Sequence, residues 1–111
     1  MTDDTIAAIS TPIGTGGITI IRVSGPRALP IADQIFITPK GKPSTFPTHT
    51  IHFGKIVQKE GTVDHALLSI MRAPNSYTRE DTVELNCHGG TVVARTVLEL
   101  CVEAEIGRAH V

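Results

Sequence analysis

The chain has no excess of either charge. Ten Lys and Arg face eleven Asp and Glu, for a formal net charge of −1 over 111 residues. No basic field therefore advertises nucleic acid. It also lacks an apolar run long enough to span a bilayer, and Met1-Thr2-Asp3-Asp4 is not the start of a signal peptide. A cytoplasmic protein with no membrane partner is expected. Cysteine is scarce. Cys87 and Cys101 cannot make a disulfide framework, and both sit in apolar patterns, as reduced thiols of a cytosolic protein do. There is no internal repeat, heptad or low-complexity tract.

What is present suits one domain: the length allows one and hardly two. Hydrophobic content of 41% permits a real core. Short strands are expected at Thr5 to Ser10 and Ile18 to Ser24. A helix follows Gly25-Pro26 and runs to about Phe36, with Ala28, Ile31, Ala32 and Ile35 at helical spacing. Pro30 is awkward inside it, so its regular part is expected to start only there. The stretch from Thr38 to Thr48, with Pro39, Pro43 and Pro47, reads as an exposed connection. Ile51 to Gln58 and Val63 to Met71 flank Lys59-Glu60-Gly61-Thr62, a hairpin signature. A further strand precedes a helix from about Gly90 to Ala104, whose inner stripe is Val93, Val97, Leu100 and Cys101. The sum is an α+β fold: a mixed sheet of about five strands with two helices.

The most informative stretch runs from Pro74 to Gly90. Asn75-Ser76 after Pro74 is turn composition. From Thr82 the residues alternate, with Val83, Leu85 and Cys87 on one side and Thr82, Glu84 and Asn86 on the other. Glu84 thus stands opposite the core face, fixed by the backbone. A carboxylate held so can accept two parallel hydrogen bonds from a flat donor pair, such as a guanidinium or the amino and ring N–H edge of a pterin. An ordinary glutamate on a solvated strand face is the plainer reading.

Other candidates carry less. Gly14-Thr15-Gly16-Gly17 is neither a Walker A loop nor a dinucleotide fingerprint, since a strand follows it. Arg22, in an otherwise apolar strand, is either an edge residue reaching water or an anion ligand. His88-Gly89-Gly90-Thr91 enters the second helix, where backbone N–H groups can hold an anion, although glycines for a sharp turn are the simpler account. His49, His52, His65, His88 and Cys87 lack metal-ligand spacing. No nucleophile-elbow pattern frames any serine.

Two motifs carry a resemblance. Asp4-Thr5-Ile6-Ala7-Ala8-Ile9-Ser10-Thr11-Pro12, with Gly14, Gly16-Gly17 and Ile21-Arg22-Val23-Ser24-Gly25, resembles the start of the MnmE (TrmE) family of tRNA modification GTPases. Ala73-Pro74-Asn75-Ser76-Tyr77-Thr78, with Glu80-Asp81, Val83-Glu84 and His88-Gly89-Gly90, resembles that family's second signature. The resemblance covers residues 3–104 and implies the family's N-terminal folate-binding and dimerisation domain. That domain is similar to the folate-binding part of the glycine cleavage T-protein. It implies formyl-tetrahydrofolate as ligand, with Arg22 and Glu84 as its contacts, and a homodimer. It implies that the intact protein adds a potassium-dependent GTPase domain with GTP and magnesium. With the partner MnmG (GidA), that protein modifies the wobble uridine of certain tRNAs. No GTPase motif stands in this chain, so it should not hydrolyse GTP alone. The alternatives are a T-protein-class folate module without a GTPase and a purely structural dimerisation domain.

The chain departs from the pattern at Ile13, Thr15, Thr19 and Pro30. The family continues past the second helix with a Pro-Gly-Glu-Phe-Thr-like segment and a lysine that completes the folate site. Residues 105–111 are expected to be an artificial or truncated tail. Ile106-Gly107-Arg108-Ala109-His110-Val111 reads as a translated sequencing adapter, and such a tail should pack poorly.

Overall fold

The computed structural model describes residues 4–10 and 17–109, with side chains as far as Glu105. The expectations for Ile13, Thr15 and most of the Gly14-Thr15-Gly16-Gly17 loop lie outside the described residues, as do the side chains of the tail.

Among the described residues, six strands form one sheet in the order β1-β2-β6-β5-β4-β3. They are β1 (Ile6–Ile9), β2 (Thr19–Ser24), β3 (Phe36–Ile37), β4 (Thr50–Gln58), β5 (Gly61–Met71) and β6 (Thr82–Cys87). Two helices, α1 (Ala28–Ile35) and α2 (Thr91–Ala109), complete the α+β fold. The sheet has six strands where about five were expected. It is antiparallel at every pairing where a mixed sheet was expected. The extra strand is β3. Phe36 ends α1 with its N–H on the Ala32 carbonyl, then turns to an extended φ of −122° and pairs with Ile56.

Alternation decides the two faces. Ile21 and Val23, then Val83, Leu85 and Cys87, then Ala66, Leu68 and Ile70 lie across from one another in register, all fully buried. Ala28, Ile31, Ala32 and Ile35 of α1 and Ala94, Val97 and Cys101 of α2 cover them in one cluster. Burial of each large aliphatic side chain here contributes about 1.5–3 kcal/mol. Among the described residues, no helix lies over the opposite sheet face. It carries Arg22, Glu84 and Asn86, and the exposed apolar residues Ile6, Ile51, Phe53 and Leu67.

Pro30 does not delay α1. It is the third helical residue, and the first turn needs no N–H from it. The 38–48 connection is more ordered than expected. It holds a Thr38–Gly41 bridge, a 3-10 turn over Pro43–Thr45, and the buried Pro43 and Phe46. The β4–β5 hairpin closes more tightly than expected: Gln58 pairs with Gly61, so only Lys59 and Glu60 form the loop. The positive φ of Gly61, 135°, makes that turn. Of the α2 stripe, Val97 and Cys101 are fully buried, and Val93 and Leu100 pack against the core as partly buried neighbours. The α2 backbone stays helical through Ala109, five residues past its expected end at Ala104.

Candidate functional site

Arg22 and Glu84 are 62 residues apart in sequence and directly opposite each other in the β2–β6 register. Strand alternation puts both on the uncovered face. Arg22 is not an edge residue, because β2 lies between β1 and β6. Its Nε donates to Glu84 Oε2 at 2.8 Å, and its Nη2 lies 2.6 Å from the same oxygen. The two donors converge on one oxygen instead of bridging both. Among the described residues, Oε1 is left as the carboxylate's remaining acceptor. The Glu84 side chain is 14% exposed and that of Arg22 35%. The pair is therefore partly shielded, which strengthens its electrostatics over those of a fully solvated one.

Tyr77 caps this pair. Its ring lies under the Arg22 guanidinium, with Cζ 4.9 Å from the centroid, a cation–π distance. The loop that carries Tyr77 is fastened at several points. Ser24 Oγ and Thr78 Oγ1 are 2.5 Å apart, and Thr78 Oγ1 lies 3.1 Å from Thr82 Oγ1. Thr82 Oγ1 donates to the Glu80 carbonyl at 3.1 Å, and Thr82 is fully buried. Asp81 accepts from Ala73 N–H through its side chain and from Gly25 N–H through its carbonyl, both at 2.9 Å. Beyond Tyr77 the face opens into a pocket of about 670 Å³ that is also lined by His49, Met71, Asn75 and Arg79.

The entry to α2 is already filled. Asp64 Oδ2, from β5, accepts the N–H groups of His88 at 2.8 Å and Gly89 at 3.2 Å. The anion seat at His88-Gly89, the lesser of the two readings, is taken by an internal carboxylate. Gly89 itself is needed for room: a Cβ there would overlap the Val93 side chain. Among the described residues, no three His, Cys, Asp or Glu side chains come together as a metal site. Both cysteines are free thiols. Burial, aided by the Asp64 carboxylate, pushes Cys87 up to about 12. Burial, aided by Cys87, does the same for Cys101, to about 12.

Sequence reasoning singled out Arg22 and Glu84 but did not anticipate their mutual contact. It also missed Tyr77 as the cap, Asp64 as the helix seat, and the Ser24, Thr78 and Thr82 hydroxyls. The signal for Tyr77 was available, since it is the only tyrosine of the chain and sits in the polar turn.

Fold and site together define a small α+β domain whose helices cover one sheet face and whose other face presents a carboxylate–guanidinium pair beside a pocket. The chain belongs to the family described as GTP-binding protein TrmE N-terminus, whose model matches residues 5–111. Similar curated proteins carry the name tRNA modification GTPase MnmE. That of Exiguobacterium sibiricum is 54% identical over 102 residues, covering 90% of this chain and 22% of the relative. That of Bacillus subtilis is 51% identical, covering 89% and 22%. That of Carboxydothermus hydrogenoformans is 53% identical over 113 residues, covering 99% and 24%. The chain thus spans less than a quarter of the length of these relatives. Among the described residues, no helix is long and apolar enough to cross a membrane.

Proposed function

We propose that this chain is the folate-binding and dimerisation domain of a cytoplasmic tRNA modification GTPase. The ligand is formyl-tetrahydrofolate, and Glu84 receives one N–H of its pterin's donor edge through Oε1 while Arg22 holds Oε2. The observation that carries this reading is the cross-strand pair itself. Two residues from separate motifs meet in register on the uncovered face, one carboxylate oxygen is uncommitted, and an aromatic ring and a ligand-sized pocket adjoin them. The GTP hydrolysis named for the relatives belongs to a separate GTP-, magnesium- and potassium-binding domain of the intact protein. MnmG and tRNA are partners of that whole. The fold described here serves it as a rigid platform and, through its exposed apolar sheet face, as a dimer contact.

The test is a calorimetric or fluorescence titration of the protein with formyl-tetrahydrofolate. Glu84→Ala should weaken binding at least tenfold, roughly the value of a hydrogen bond to a charged group. Arg22→Ala should weaken it too, by letting the carboxylate rotate. Absence of binding to a full-length form would remove the folate reading. The second reading is a purely structural dimerisation domain, favoured by the fact that Arg22 and Glu84 satisfy each other. It predicts an unchanged dimer and no ligand.

A further inference from the structure

Two residues other than glycine hold a left-handed backbone among the described residues: His49, with φ of 62°, and Arg79, with φ of 67°. Side chains disfavour that conformation, and such strain collects at ligand sites. Both residues line the same 670 Å³ pocket beside Tyr77. Among the described residues, the Arg79 guanidinium and one His49 ring nitrogen are left without a partner there. Arg79 uses its backbone N–H on the Ser76 carbonyl at 3.3 Å, while its guanidinium meets no carboxylate among the described residues. By contrast, Arg72 spends its guanidinium on the carbonyls of Ser44 and Phe46. His49 Nδ1 lies 2.8 Å from Thr48 Oγ1. That hydroxyl oxygen also accepts the Arg72 N–H at 2.8 Å, and it can give its own proton to Nδ1. The remaining ring nitrogen, Nε2, then carries an N–H to offer.

We infer that this pocket is an anion subsite, which receives the glutamate carboxylates of the folate whose pterin sits at Glu84. Arg79 supplies the two-pronged donor and His49 the single one. Tyr77, shared between the pocket and the Arg22 cap, is the wall along which the ligand's p-aminobenzoyl ring lies. Met71 lies across from Thr82, two residues from Glu84 on the same face, so pocket and carboxylate belong to one continuous surface. The inference rests on the folate reading above and adds which end of the ligand goes where.

The experiment compares formyl-tetrahydrofolate with the corresponding formyl-tetrahydropteroate, which lacks the glutamate, on the unaltered protein and on Arg79→Gly. Glycine accepts a φ of 67° without strain, so the variant keeps its fold. Removing the glutamate from the ligand and removing the guanidinium from the protein should each cost roughly tenfold in affinity. The two losses together should cost little more than either alone, because they break the same contact. Additive losses, or equal weakening of both ligands by Arg79→Gly, would overturn the subsite. So would reduced affinity for an RNA oligonucleotide with folate affinity unchanged, which would give Arg79 to a phosphate backbone. Failure of a full-length form to bind either ligand would remove the folate reading as a whole.

Discussion

At the scale of single residues, the ion pair is where the proposed ligand binding and stability can be told apart. Arg22 and Glu84 are half-shielded on a sheet face, where such a pair contributes about 1 kcal/mol or less. Glu84→Gln keeps the shape and removes the charge. It should lower the unfolding free energy in urea by no more than about 1 kcal/mol while reducing formyl-tetrahydrofolate affinity at least tenfold. A large stability loss with binding retained would make the pair structural. The buried thiols give a second prediction. Their folded pKa values are raised from 9.0 to about 12, chiefly by burial. The unfolded chain therefore releases these protons first. The stability they contribute is complete below about pH 9 and is lost as pH rises toward 12. Urea melts at pH 8 and pH 10.5 should show that loss, and Cys87→Ala should lessen it. Glu84 and its face were legible because a period of two needs only one strand. The Arg22 contact was not, because nothing local announces that β2 pairs with a strand 62 residues away.

At the scale of elements, the misread segments are those held from outside. The 38–48 stretch has the composition of an open loop, yet Arg72 at the end of β5 binds it: Nη2 donates to Ser44 O at 2.9 Å and to Phe46 O at 2.7 Å, and Nε donates to Phe46 O at 3.2 Å. Phe46 stacks on His52 with ring centroids 3.9 Å apart. Arg72→Ala should cost about 2 kcal/mol through the carbonyls left without donors and raise proteolytic cleavage within residues 38–48. An unchanged digestion pattern would show that the loop holds itself. β3 was missed for a similar reason. Two residues carry no readable alternation, and the strand exists because Gly54 lets it approach. A Cβ at Gly54 would overlap the Ile37 carbonyl and come within 2.6 Å of the Phe36 ring. Gly54→Ala should destabilise the fold by about 1–3 kcal/mol as an overpacking change. Strongly periodic segments such as β6 and the apolar stripe of α1 were read correctly, because their own residues pay for their burial, although α1 begins before Pro30.

At the scale of the whole molecule, one sheet face is sealed by two helices and the other is not. The open face is polar around Glu84 and apolar toward β4, where Ile51 is 66% and Phe53 62% exposed. Large apolar residues gathered on a sheet face at such exposure mark a contact surface. The proposed homodimer would use it, leaving the Glu84 side open to ligand. Ile51→Lys with Phe53→Lys places two charges on side chains that are mostly exposed, so the monomer should fold as before. It should also fail to dimerise: light scattering at concentrations where the unaltered protein is dimeric should then report the monomer mass. Circular dichroism unchanged from the unaltered protein secures the comparison. A double variant that folds and still dimerises would place the contact elsewhere on the molecule, with β1 and its exposed Ile6 the next surface to alter.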